Sequence, residues 1–265
     1  MQEFVAIDVE TSGLEVGSRV VEIAAVRFDA YGVLDVFESF VDPGMPIPPD
    51  VAAFHGITDE IVADAPLLDG VIDELLAWIG TESPAGIIAH NAPYDGGVLA
   101  WDSARLGIET PFPEIIDTLA IAKLRGETKK NSLAAVMEHH GIVPVGTPHR
   151  AGCDARGCAE YFRTVCLPVA DGPNPTQWWR LADGPHPFVA AADLPEQLRN
   201  LPELVTAAAP LSFTYSDAKG AITTRTITPY GWGRAPWGDV MFHGWCALRD
   251  ARRTFKAENV QAVEG

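Results

Sequence analysis

Basic residues are scarce in this chain. Across 265 residues, 19 Lys and Arg stand against 36 Asp and Glu, a formal net charge of −17. Such a chain lacks the broad cationic surface with which most nucleic-acid binders neutralise phosphates. Long apolar runs are missing as well: nothing approaches the roughly 18 uninterrupted apolar residues of a membrane span. The opening residues Met1-Gln2-Glu3-Phe4-Val5-Ala6-Ile7-Asp8 carry acid where a secretory leader would carry base. These absences lead to the expectation of a soluble, cytoplasmic protein with no membrane partner. Cysteine is limited to Cys153, Cys158, Cys166 and Cys246, with no CxxC spacing and no disulfide density. Reduced, mostly buried thiols are expected, and structural zinc is not implied.

What is present is unevenly placed. Residues 1–167 hold 26 acids and 10 bases (26 − 10 = 16 excess negatives), whereas 211–257 hold 3 acids and 7 bases. A surplus of carboxylates remains compatible with phosphate ligands where several of them hold divalent cations, because the cations invert the local field.

The first 167 residues read as a meander followed by alternation. Phe4 to Val9, Arg19 to Phe28 and Val33 to Val41 have the apolar, β-branched character of strands around the Ala30-Tyr31-Gly32 turn. Leu67, Leu68, Val71, Ile72, Leu75, Leu76 and Ile79 repeat at helical spacing. Gly86 to Ala89 is a compact strand, Asn91-Ala92-Pro93 opens a helix, and Ile115-Ile116-Asp117 is a further short strand. Helices are expected at about 117–125, 131–140 and 151–165. The expected fold class is α/β, a ribonuclease H-like mixed sheet flanked by helices. The Pro- and Gly-rich stretch 168–204 reads as linker, and 205–265 as a small all-β domain, an SH3-like barrel.

Three acidic clusters carry chemistry. In Asp8-Val9-Glu10 the carboxylates at i and i+2 of a strand point to one side. The pattern alone is commonplace on surfaces; here an apolar strand leads in and the turn Thr11-Ser12-Gly13 follows. His90-Asn91-Ala92-Pro93-Tyr94-Asp95 leaves a buried strand for a helix N-terminus, where carboxylates and phosphates are both favoured; taken alone, Asp95 also suits a helix-start acid. His149-Arg150-Ala151-Gly152-Cys153-Asp154-Ala155 opens the last helix of this part.

Together with Phe54-His55-Gly56-Ile57-Thr58, these clusters resemble in order and separation the DEDD exonucleases, in the branch with a His before the last Asp (DEDDh) that includes the proofreading epsilon subunit of bacterial DNA polymerase III. The resemblance spans about residues 4–166. It implies a hydrolase acting on nucleic-acid 3′ ends, with Asp8, Glu10, Asp95 and Asp154 holding two Mg²⁺ or Mn²⁺ ions and His149, with Glu10, in catalysis. Hard cations seek carboxylate oxygens, two of them can serve an in-line displacement at phosphorus, and histidine titrates near neutral pH. It further implies substrate contacts from Thr11, Leu14, His55, His90 and Asn91, and partners in single-stranded 3′ ends and in a polymerase or repair complex. Tyr94 stands where the family often has Phe, and Gly152 where it commonly has Leu, which leads to looser packing beneath His149 as an expectation.

The tail resembles the WYL domain through Phe213-Thr214-Tyr215, Thr224-Arg225-Thr226-Ile227-Thr228-Pro229 and Trp245-Cys246-Ala247-Leu248-Arg249, with Val240-Met241-Phe242 in place of the namesake triplet. Arg225, Arg249 and Arg253 are candidates for an anion site there, against the alternative of a solvated basic face. Trp178, Trp179, Trp232, Trp237 and Trp245 read as packing residues. An oligoribonuclease-like activity on short RNA, and a regulator sensing nucleic acid or ligand through its basic tail, remain as alternative functions.

Overall fold

The computed structural model describes residues 2–80, 84–169, 178–181 and 186–264. Three strands open it: β1 (Phe4–Thr11), β2 (Val20–Phe28) and β3 (Val33–Phe40), paired antiparallel. Two short helices follow, α1 (Pro49–His55) and α2 (Asp59–Val62), then the amphipathic α3 (Leu68–Ile79). The chain continues through β4 (Ile87–Ala89), α4 (Ala92–Leu106), β5 (Glu114–Asp117), α5 (Thr118–Arg125), α6 (Leu133–His140) and α7 (Ala151–Tyr161). β6 (Trp178–Arg180) completes a six-stranded sheet of order β3-β2-β1-β4-β5-β6, in which β1-β4 and β4-β5 are parallel. This is the ribonuclease H-like mixed sheet that the element order implies.

Alternation along β1 splits the core in two. Phe4 and Ala6 face a cluster with Ala155, Cys158 and Phe162 of the α7 segment. Val5, Ile7 and Val9 face Leu68, Val71 and Leu75 of α3 and Leu99 of α4. Burying such side chains on both faces contributes roughly 1.5–3 kcal/mol each and fixes the register. A slip of one residue would turn every even position of β1 to the opposite face.

Beyond α8 (Leu201–Thr206) lie β7 (Leu211–Ser216), β8 (Ile222–Arg234), β9 (Val240–Cys246), β10 (Ala251–Lys256) and β11 (Val260–Glu264). They form an antiparallel sheet of order β10-β9-β8-β7-β11. The expected barrel is corrected in part: the pairings leave β10 and β11 as edges, and no pairing closes the sheet among the described residues. Phe213, Phe242 and Phe255 form its aromatic centre, with ring centroids 5.1–5.4 Å apart.

Two stretches differ from the simple reading of 168–204 as linker. Trp178–Arg180 pairs with β5, and Val189, Leu194 and Leu198 are buried in the core of the second sheet. The same core takes Trp101 of α4, whose ring meets Trp232 edge-on at 5.5 Å. Trp232 is buried as expected, whereas Trp237 is 71% exposed. Gly17, at φ 88°, lets the two sheets meet: a Cβ there would come within 2.1 Å of the Trp232 carbonyl oxygen. All four cysteines are buried and free. No described helix is long and apolar enough to cross a membrane.

Candidate active site

The site starts at the end of β1. Asp8 and Glu10 continue the face that carries Phe4 and Ala6, so both carboxylates emerge on the side of α7. Pairing with β4 stops at Ala6↔Ile88, and past that point the two strands diverge. The Val9 N–H therefore lacks a ladder partner on that side and donates to Asp95 Oδ1 at 3.2 Å, which draws the first turn of α4 into the gap. Asp95 is 3% exposed.

Asp117 shapes the approach to α4. Its Oδ1 accepts from the N–H groups of Asn91 (3.1 Å), Ala92 (3.3 Å) and Leu119 (3.0 Å), holding Asn91 at φ 85° in the tight turn that leads into the helix.

Asp154 is placed by the docking of α7. Glu22, directly across from Glu10 in the β1-β2 ladder, accepts three hydrogen bonds from the Arg150 guanidinium and one from the Ala151 N–H at 2.9 Å. This ties the N-terminus of α7 to the sheet. Oxygens of Asp8, Glu10 and Asp154 then lie within 4.8 Å of one another. Charges this close, in a buried place, resist ionisation together. Burial, then Asp95, Asp154, Glu10 and Glu22, holds the Asp8 carboxyl well above the usual range. Burial and the neighbouring Asp154 push Glu10 up to about 8. Burial likewise raises Asp95 and Asp154. An all-oxygen donor set at such spacing fits hard divalent cations, whose charge would relieve this repulsion.

A cavity of about 380 Å³ joins these four acids to His149. His149 stands at its rim, solvent-exposed, at φ 59°, with its ring centroid 4.2 Å from that of Phe54. A left-handed conformation is uncommon for a non-glycine residue and is held here by the turn into α7. Leu14, 81% exposed, and Phe54, 62% exposed, offer apolar surface to the same cavity.

The remaining candidates divide. Thr11, His55 and His90 line the cavity. His55 is buried, and both ring nitrogens are engaged: Nδ1 accepts from the Ile57 N–H at 3.0 Å, and Nε2 lies 3.2 Å from the Thr11 carbonyl oxygen. Only its ring surface is left for a ligand. His90 is similarly tied, Nε2 to the Asn131 carbonyl at 2.8 Å and Nδ1 to Thr118 Oγ1 at 2.9 Å. Asn91 is exposed and does not line the cavity; its backbone, not its side chain, serves the site by making the turn. The expected looseness at Gly152 is not found. A Cβ there would meet Glu38 Oε1 at 2.1 Å, so the Glu38 carboxylate, paired with Arg156 at 2.6 Å, fills the space.

Two residues outside the expected set of site residues line the cavity. The Tyr94 hydroxyl bonds Thr11 Oγ1 at 2.5 Å and the Gly13 carbonyl at 2.9 Å, closing the turn below Leu14. Its position two residues after Ala92, in the first turn of α4, was the available signal. The second is Arg252 of β10, which enters the cavity from the other sheet. Only the strand register separates it from Arg253, which lines a different cavity of about 250 Å³ with Arg225 and Arg249.

Comparisons with known proteins fit this geometry. A family model described as "Exonuclease" (RNase_T) matches residues 5–162. DNA polymerase III PolC-type of Bacillus cereus is 33% identical over 151 residues, 57% of this chain and 10% of that protein. The match therefore spans about a tenth of that relative's length. Among solved structures, exonuclease X in complex with 5′ overhanging duplex DNA is 29% identical with a TM-score of 0.51, covering 63% of this chain and 93% of that one. Escherichia coli exonuclease I in complex with a dT13 oligonucleotide shares the fold over 92% of this chain and 55% of its own, with 14% identity and a TM-score of 0.56.

Proposed function

This chain belongs to the RNase_T exonuclease family, and on that premise we propose that it is a 3′-to-5′ exonuclease of the DEDDh type that releases nucleoside 5′-monophosphates from the 3′ end of single-stranded DNA or RNA. The convergence of Asp8, Glu10 and Asp154 oxygens within 4.8 Å is the observation that carries the reading. Asp8, Glu10, Asp95 and Asp154 would hold two Mg²⁺ or Mn²⁺ ions, which would supply Lewis acidity at the reacting phosphate.

The chain's own side chains do the rest. His149, exposed at the rim, takes the proton from the attacking water. Leu14 and Phe54 hold the terminal base between apolar surfaces, which tolerates any base because every base has a π-face. The Tyr94-Thr11-Gly13 hydrogen bonds keep Leu14 in place. Arg225, Arg249 and Arg253, which line one cavity, form an anion site on the second sheet. We keep the division into an exonuclease domain (1–167), a connecting segment (168–204) and a small β domain (205–265). Relatedness to PolC-type polymerase supports a proofreading or repair setting, in which the chain works with a polymerase.

The test is incubation of 5′-labelled single-stranded DNA and RNA of several lengths with Mg²⁺ or Mn²⁺, with EDTA and His149→Ala as controls. A ladder shortening from the 3′ end, abolished by EDTA, is expected. Confinement to very short RNA would move the reading to an oligoribonuclease. No metal-dependent product on any substrate would sink it.

A further inference from the structure

Two arginines reach the neighbourhood of the carboxylates, and they are used in opposite ways. Arg150 spends its guanidinium on Glu22 in three hydrogen bonds. Arg252 spends almost nothing. Its Nε and Nη2 atoms are buried and have no hydrogen-bond partner among the described residues. Nη2 lies 3.1 Å from Glu15 Oε2 without the alignment of a hydrogen bond, and Nη1 is 3.8 Å from Asp50 Oδ2. Buried N–H groups are rarely left without a hydrogen bond, and those of a charged group are more costly to leave so than those of an amide. Arg252 is the one Lys or Arg that lines the cavity among the described residues.

From this geometry we infer that Arg252, delivered by the second sheet, is a binding site for a backbone phosphate of the strand, the one on the 5′ side of the scissile linkage. The inference rests on the exonuclease reading and extends its substrate site across both sheets. The scissile phosphate would lie at cations held by Asp8, Glu10, Asp95 and Asp154, which leaves the guanidinium for a neighbouring phosphate. Gly13 and Asp50 lie beside the guanidinium, and Leu14 and Phe54 line the same cavity. A Cβ on Gly13 would come within 2.5 Å of Nη2, so only glycine lets the guanidinium lie this close to the turn. The planar fork suits two non-bridging oxygens of a phosphodiester, which would satisfy the unspent donors.

Arg252 is set opposite Trp245 in the β9-β10 ladder, and its guanidinium carbon lies 6.0 Å from the Tyr230 ring centroid. Glu15, close to both Arg252 and His243, keeps the charge in balance when no strand is bound. Ion pairs with partly exposed carboxylates contribute little to stability. A latch built for stability would be bonded as Arg150 is.

The test is a double-substitution cycle between Arg252 and the substrate. The substrate is a single-stranded oligonucleotide with one neutral methylphosphonate next to the scissile linkage, against its all-phosphate counterpart. Release of the first 3′ nucleotide is followed in single turnover with Mg²⁺, and affinity by fluorescence anisotropy with Ca²⁺. The methylphosphonate should cost the unsubstituted protein about tenfold, and Arg252→Ala should cost about tenfold on the ordinary strand. The two losses should not multiply: in Arg252→Ala the methylphosphonate should cost less than about twofold. Arg252→Lys should recover part of the loss, and it reads the same cycle if the alanine variant does not fold. Glu15→Gln should retain the methylphosphonate penalty. Multiplying losses, indifference of the unsubstituted protein to the methylphosphonate, or a Glu15→Gln variant that mimics Arg252→Ala would each overturn the inference. If the unsubstituted protein releases no nucleotide, the exonuclease reading fails, and the anisotropy cycle still decides Arg252.

Discussion

The two sheets carry cavities of opposite sign. In the first, Asp8, Glu10, Asp95 and Asp154 are crowded into a buried cleft by strand alternation, a broken ladder and a docked helix. In the second, Arg225, Arg249 and Arg253 surround a smaller space, and Arg249 and Arg253 are exposed. The acids are held so close that they resist ionisation, which is a standing cost unless cations occupy the site. Arg249 and Arg253 keep their water, whereas Arg225 buries Nη1 without a hydrogen-bond partner among the described residues. One cavity is therefore crowded around its ligand in advance, while the other can lose its two exposed arginines at little cost to the fold.

The largest effect should come from breaking the acidic side. Asp8→Asn or Asp154→Asn should reduce metal-dependent nucleotide release to background, read on labelled oligonucleotides, while the fold is kept. A variant that retains near-normal turnover would remove that residue from the metal site. Next, His149→Ala should lower kcat by roughly 10²–10⁴-fold with a smaller change in KM, because its task is proton transfer. A loss confined to KM would make His149 a substrate contact instead.

Stability against pH sharpens the same contrast. The Glu10 carboxyl sits at about 8 in the fold against an ordinary value of 4.5. Between those values the folded chain keeps a proton that the unfolded chain has lost, so the contribution is full below pH 4.5 and is lost as pH rises through 8. The Tm of the metal-free protein should thus fall between pH 6 and 9, and Glu10→Gln should flatten the fall. Mn²⁺ should raise Tm more at pH 8 than at pH 6, since it competes with the proton. A metal-free Tm that climbs over this range would contradict the crowding. The smallest effect belongs to the arginine cavity. Replacing Arg225, Arg249 and Arg253 together by Ala should weaken binding of long single strands a few-fold and lower the salt slope by up to about 2. An unaltered slope would return them to a solvated basic face.

Much of the first sheet was legible because it is local. The meander, α3, the short β4 and the helix after Asn91 all follow from periodicity and turn residues. α1 and α2 carried too little periodicity to be seen, although His55-Gly56 was marked by its motif. The second sheet was read less well. β8 continues beyond Ile227 through the Pro229/Gly231 irregularity to Arg234, where a proline and two glycines suggest a break. β11 was missed because it is a short edge strand in the polar final residues.

The meander and its alternation are written in the residues, and with them that Asp8 and Glu10 share a side, because side-chain direction in a strand depends only on parity. The motif order brought Asp95, Asp154 and His149 forward as their companions. How they meet is set by folding: Asp95 through the Val9 N–H and Asp154 through the Glu22 anchor of α7, contacts between residues 86 and 129 positions apart. Folding also decided that Arg252, and not its neighbour Arg253, faces the acids. Parity separates the two, but which face of a sheet meets which partner is set by packing between distant segments, and no local pattern encodes it.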